Sequence, residues 1–129
     1  MGISFPAFRK GRMALRILLV EDEAALRSIA ARALRSEEYE VIEAPDGLQA
    51  WKLAKESRFD LLITDSRMPH LSGTQLAVLV RELRPTMPIL RISGSPDSGS
   101  KGMPRGMATL FKPFTIDDLT RMVRSMLAS

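Results

Sequence analysis

Short apolar runs alternate with amphipathic stretches along this chain. "LRILLV" (15–20) has the length and branching of a buried strand, and residues 23–35 then place Leu26, Ile29, Ala30, Ala33 and Leu34 at helical spacing. "YEVIEA" (39–44) predicts a second strand, after which "PDG" opens a helix carrying Leu48, Trp51, Leu53 and Ala54. "DLLIT" (60–64) predicts the third strand, and Leu76, Leu79, Val80 and Leu83 give the next helix its apolar stripe. "PILRIS" (88–93) and the short "TLF" (109–111) predict strands four and five. The last helix starts at Thr115, where Thr-Ile-Asp-Asp resembles a capping box with Asp118 in the acidic position, and it buries Leu119, Met122, Val123 and Met126. The chain carries no internal repeat and no low-complexity segment.

Five alternations of strand and helix predict an α/β fold with a parallel sheet covered on both faces, because each parallel crossover needs a connection long enough to hold a helix. Ligands in such sheets bind at the carboxyl ends of the strands. At those ends stand Glu21 and Asp22 after strand one, Asp65 after strand three, Ser93 at the end of strand four, and Lys112 with Pro113 after strand five. Each has an ordinary reading alone. Acids favour a helix start, an aspartate suits a turn, and a lysine is usually solvated. Three acids, a hydroxyl and an amine converging on one edge are less easily dismissed.

Composition narrows the classes. At 129 residues and 45% hydrophobic, the chain can fill one compact domain with a real core. No apolar stretch approaches the roughly 20 residues that span a bilayer, so no membrane partner is expected. The absence of cysteine excludes disulfides, thiolate metal sites and thiol catalysis, and fits a cytoplasmic setting. A net charge of +4 could suggest nucleic acid, but Arg9, Lys10 and Arg12 lie in an acid-free opening segment, which leaves residues 15–129 at only +1. No direct nucleic-acid contact is expected. Residues 1–14 lack the long apolar core of a secretion signal and are expected to be a disordered or expression-derived tail, with a partner-binding arm as the alternative.

Carboxylates brought to ~4 Å repel by about 4 kcal/mol per pair at an effective dielectric near 20, so the acidic edge calls for cations. Magnesium, which takes oxygen ligands and retains water, suits a shallow acidic cleft. With Lys112 adding positive charge and Ser93 a hydroxyl donor, the edge could hold a phosphoryl group against Asp65, which then becomes a nucleophile.

The acidic pair in "LLVEDE", the stretch "DSRMPHLSG", the serine of "RISG" and the "KPF" before the last helix together resemble a response-regulator receiver domain of two-component signalling, from about Leu15 to Ala128. The resemblance implies a flavodoxin-like five-stranded parallel sheet of order 2-1-3-4-5 with helices on both faces. It implies that Asp65 takes a phosphoryl group from a sensor histidine kinase or a histidine phosphotransfer domain. Asp22 and Asp65 would ligate Mg2+ directly, Glu21 mainly through water, and Arg67 through its backbone carbonyl. Lys112 would bridge to the phosphoryl oxygens, Ser93 would hydrogen-bond to them after transfer, and Pro113 would follow a cis peptide bond. Arg67 and Ser95 occupy the positions that tune dephosphorylation in the family. His70, the only histidine, is expected to be a loop residue and not a phosphodonor.

The sequence departs from the family twice. Three residues before the lysine, where the family usually has an aromatic switch residue, stands Thr109. Between Ser93 and Lys112, residues 94–108 hold four glycines and two prolines. Each glycine costs a helix about 1 kcal/mol and each proline about 3, so the family's fourth helix is expected to be missing or shortened and the connection irregular. The expected function is therefore a signalling phosphoacceptor and not an enzyme acting on free substrates. A pseudo-receiver used only for protein interaction is the alternative. An aspartate-nucleophile phosphatase is disfavoured because those enzymes usually place a second aspartate where Arg67 stands. No output domain fits after residue 128, so a DNA-binding effector is not expected. Cognate kinase, output and oligomeric state are not written in the sequence.

Overall fold

The computed structural model of the protein describes residues 8–9, 12–94 and 106–128. Phe8–Arg9 pairs antiparallel with Arg12–Met13 in a two-rung ladder separate from the main sheet. The main sheet contains β1 (Arg16–Val20), β2 (Glu40–Ala44), β3 (Leu61–Asp65), β4 (Ile89–Ser93) and β5 (Met107–Phe111), all parallel, in the order β2-β1-β3-β4-β5. That is the flavodoxin-like order the resemblance implies.

Alternation along the strands sends successive side chains to opposite faces and so divides the core in two. On one face Ile17, Leu19, Ile63, Leu90 and Ile92 pack under α1 (Ala24–Ser36) and α4 (Ile116–Leu127), which contribute Ala30, Ala31, Leu34, Leu119 and Val123. On the other, Leu18, Val20, Leu62 and Ile89 pack under α2 (Gly47–Glu56) and α3 (Gly73–Leu83), through Ala50, Ala54, Leu76, Ala77 and Val80. The small alanines let the helices lie close to the sheet. They also account for a difference from the pattern: Ile29 and Leu48, assigned by spacing to the buried stripes, are 53% and 57% exposed, and Leu83 is exposed as well. The stripes are narrower than hydrophobicity suggests, because alanine and glycine occupy the contact lines and the larger residues flank them.

Helix starts follow the local chemistry. Asp46 accepts from Gln49 N at 2.8 Å, and Ser72 with Gln75 closes a reciprocal box at the head of α3. Thr115 and Asp118 form the predicted box at the head of α4, each bond 2.9 Å. The Lys112–Pro113 peptide is cis.

Among the described residues there are four helices, and the fourth is the carboxyl-terminal one, Ile116–Leu127. Of the connection expected to lack a helix, residues 95–105 lie outside the described residues, and Ser95 with them. The strand that follows is longer than its sequence signal, beginning at Met107 instead of Thr109.

Candidate functional site

β1 and β3 are neighbours in register, Val20 beside Thr64, so the residues that follow, Glu21 and Asp65, end up side by side at the carboxyl edge. Glu21, Asp22 and Asp65 each offer a carboxylate oxygen within 4.8 Å of the others. Asp22 is exposed, whereas Glu21 is 4% and Asp65 5% exposed. The Glu21 backbone continues the ladder, its N–H donating to Ala44 O at 3.1 Å and its carbonyl accepting from Arg27 Nη1 at 2.7 Å. Glu23 N–H donates to Glu21 Oε2 at 3.0 Å. Burial pushes the Glu21 carboxyl up to about 7, against the lowering effect of the Glu23 N–H, and the charge of Asp65 adds to the rise.

Asp65 is held from three directions. Its Oδ1 accepts from Arg67 N at 3.1 Å, its Oδ2 from Lys112 Nζ at 3.1 Å, and its backbone carbonyl from Thr64 Oγ1 at 3.0 Å. Burial pulls the Lys112 ammonium down, but its hydrogen bond to Asp65 and the charges of Asp65, Glu21 and Glu23 more than offset this, and the net shift is upward. Lys112 therefore sits in the site as a cation. Its own backbone N–H donates to Ser93 O at 2.8 Å, which ties the ends of β4 and β5 together. Ser93 is fully buried at the end of β4.

Two close approaches fix the loop from Ser66 to Ser72. A Cβ added to Gly73 would lie 2.0 Å from Asp65 O, and one added to Gly47 would lie 2.5 Å from Leu71 O. Only glycine fits at either place, so the first turn of α3 rests directly on the Asp65 backbone and α2 backs the loop. These two positions were not read from the sequence, although a glycine at the first position of each helix, a poor helix former, is the signal that marks them. His70 takes φ +70° in this loop, a conformation in which histidine is enriched, and is exposed there.

Asp65, Ser66, Arg67, Gly94 and Lys112 line an open cleft of about 280 Å3. Pockets for drug-sized ligands run to roughly 300–1,000 Å3, so this smaller, open cleft suits a small group presented from outside. Asp65, Lys112, Glu21 and Asp22 thus come together at the edge, with Arg67 beside them and Ser93 one residue before the cleft-lining Gly94.

The donor set fits a small divalent cation. Three carboxylate oxygens converge within 4.8 Å of one another, the all-oxygen donor set that a small hard cation takes.

The family pattern described as "Response regulator receiver domain" matches residues 17–124. The response regulator receiver protein CpdR of Brucella abortus is 36% identical over 118 residues, covering 87% of this chain and 96% of that protein. The receiver domain of the hybrid histidine kinase CckA is similar in structure, with 42% identity, a TM-score of 0.77, and coverage of 88% of this chain and 99% of the other. The receiver domain of the sensor histidine kinase PA1611 of Pseudomonas aeruginosa has a TM-score of 0.80 at 30% identity, covers 90% of this chain and 99% of the other, and carries a magnesium ion coordinated in its active-site cleft. The chain also matches sensor kinases of which it spans only 9% to 12%.

Proposed function

The chain belongs to the response regulator receiver domain family of two-component systems, and from that premise we propose that Asp65 accepts a phosphoryl group from a sensor histidine kinase or a histidine phosphotransfer domain. The observation that carries this reading is the Asp65 carboxylate itself: buried on its strand, bonded to Lys112 Nζ at 3.1 Å and opening on a small cleft. An Asp65 carboxylate oxygen attacks phosphorus as the bond to the donor nitrogen breaks, giving an acyl phosphate and returning the electron pair to the histidine ring. Lys112 stays protonated and balances charge on the phosphoryl oxygens. The Ser93 hydroxyl donates to one of those oxygens after transfer, and the Arg67 side chain at the cleft rim influences how readily water reaches the product.

Asp22 and Asp65 would hold magnesium directly, Glu21 through water and Arg67 through its backbone carbonyl. The bound ion supplies positive charge to the acidic edge and to the phosphoryl oxygens. Because Glu21 acts indirectly, Asp22→Asn weakens magnesium binding more than Glu21→Gln.

The functional unit is residues 15–128, with 1–14 an appended tail, and the protein works in the cytoplasm either alone or as one module of a larger kinase. Among the described residues no helix is long and apolar enough to cross a membrane. The protein is a signalling phosphoacceptor whose own chemistry is limited to phosphotransfer and autodephosphorylation. A second reading, a non-phosphorylated interaction module, is favoured by Thr109, which offers no aromatic ring. Incubation with acetyl phosphate and Mg2+ followed by intact mass separates the two. The phosphoacceptor gains the mass of one phosphoryl group, and chelation suppresses the gain; an unmodified mass selects the interaction module.

A further inference from the structure

We infer that Arg91 is a positioning residue for Lys112, acting across the β4–β5 pair through Thr109; the inference rests on the phosphoacceptor reading of the site. Lys112 follows the end of β5, and β5 is last in the strand order. Five register pairs with β4 hold it, and Met107, Ala108 and Leu110 pack against the cores, but its residues are only half-buried or exposed and, among the described residues, no strand covers its outer edge. Yet the amine at its end must meet Asp65, two strands away.

Arg91 stands in the middle of β4, 5% exposed, in a strand whose neighbours Ile89, Leu90 and Ile92 are apolar. Desolvating a guanidinium is expensive, and an apolar side chain of similar length would fill the space without that cost. The placement of the residue suggests what offsets it. Register puts Arg91 between Thr64 on β3 and Thr109 on β5, a polar row across three strands beside the apolar row of Leu62, Ile89 and Met107. Arg91 Nη2 and Nε donate to Thr109 Oγ1 at 3.2 and 3.4 Å. Each bond is long, but two donors converging on one oxygen resist both rotation of Thr109 and sliding of β5 along β4. Three residues after Thr109, Lys112 N–H meets Ser93 O at 2.8 Å. The Arg91–Thr109 pair and this backbone bond bracket the last residues of β5 and fix the origin of the Lys112 side chain. The carboxylates proposed to hold magnesium stand after β1 and at the end of β3, and their own placement does not depend on this tie.

That separation supplies the test on the full chain. Arg91→Met keeps the length and apolar packing but loses the donors. Its labelling by acetyl phosphate and Mg2+, followed by intact mass, is expected to slow about 10-fold, within the ~10²-fold that a 1 Å misplacement can cost. Magnesium affinity measured by calorimetry is expected not to fall, because moving the Lys112 ammonium away from Asp65 removes a competing cation from the acidic edge. Arg91→Lys, which retains a donor, restores most of the rate, and adding Arg91→Met to Lys112→Ala slows labelling no further. Thr109→Val removes the acceptor at nearly constant volume and gives the same slowing, a second route should Arg91→Met fail to fold. Wild-type labelling rates in both Arg91→Met and Thr109→Val, a parallel loss of magnesium affinity, or slowing that multiplies with Lys112→Ala would each overturn the inference while leaving Asp65 as phosphoacceptor. A wild-type protein that takes no label would remove the phosphoacceptor reading and this inference with it.

Discussion

Two strands deliver the opposing charges of the site, and they are built differently. All five residues of β3 are buried between helices on both faces, and Asp65 is the last of them. β5 is half-buried at the end of the sheet, and Lys112 stands just beyond it with its side chain 36% exposed. The Asp65 carboxylate is therefore part of the core, and displacing it must disturb the fold. The ammonium hangs from an edge and is set by a few hydrogen bonds, so it can be lost or shifted with little effect on stability. Chemistry and folding are coupled on one side of the cleft and separable on the other.

The largest effect is expected from Asp65→Asn. The amide keeps the shape of the side chain and removes one charge from a repelling cluster, so the fold is retained while labelling by acetyl phosphate disappears. Circular dichroism with intact mass checks both parts, and labelling that persists would move the nucleophile elsewhere.

Gly73→Ala probes the core side through folding. The new Cβ would fall 2.0 Å from Asp65 O, and every neighbour it meets is backbone. Overpacking of this kind typically costs about 1–3 kcal/mol, and thermal unfolding should show it together with slowed labelling. Unchanged stability would mean that the loop yields easily and that β3 does not lock Asp65.

Lys112→Ala is the counterpart at the edge. A partly exposed ion pair contributes roughly 0–1 kcal/mol, so the melting temperature should barely move while the labelling rate falls by about 10- to 100-fold. A melting loss as large as that of Gly73→Ala would erase the contrast between the two strands.

The smallest effect is a pH slope. The Glu21 carboxyl is raised from 4.5 to about 7 in the folded protein, so between these values the folded state binds more protons than the unfolded one. Stability from this group is complete below about pH 4.5 and is lost as pH rises through about 7. Denaturant melts at pH 5 and pH 8 without divalent ions should show that fall, and saturating Mg2+ should shrink it. A metal-free protein that gains stability over the same interval from this site would contradict the charge balance described for Glu21.

The strands themselves and the edge residues were legible because both depend on local patterns: apolar runs of strand length, capping signals such as Thr115 to Asp118, and polar residues immediately after apolar ones; the order of the strands came only through the resemblance to the receiver family. Ile29 and Leu48 were misplaced because hydrophobicity marks what could be buried, while alanine and glycine mark how closely helices approach. Gly73 and Gly47 escaped notice for a related reason, since their role lies in contacts with Asp65 and Leu71, distant or hidden in sequence. Arg91 was visible as the one charge inside "ILRIS", but nothing in one dimension says that Thr109, eighteen residues later, is its register partner. Long-range pairing, and not side-chain chemistry, is what the sequence conceals.

The account turns on Asp65 being the atom-bearing acceptor, and trapping the product tests that most directly. Protein labelled with acetyl phosphate and Mg2+ is reduced with borohydride, which converts an aspartyl phosphate to homoserine, and the peptides are sequenced by mass spectrometry. The expected result is homoserine at position 65, dependent on prior labelling and on Mg2+. Conversion at another aspartate, or a phosphoryl group retained on His70 or on a serine with position 65 untouched, would contradict it.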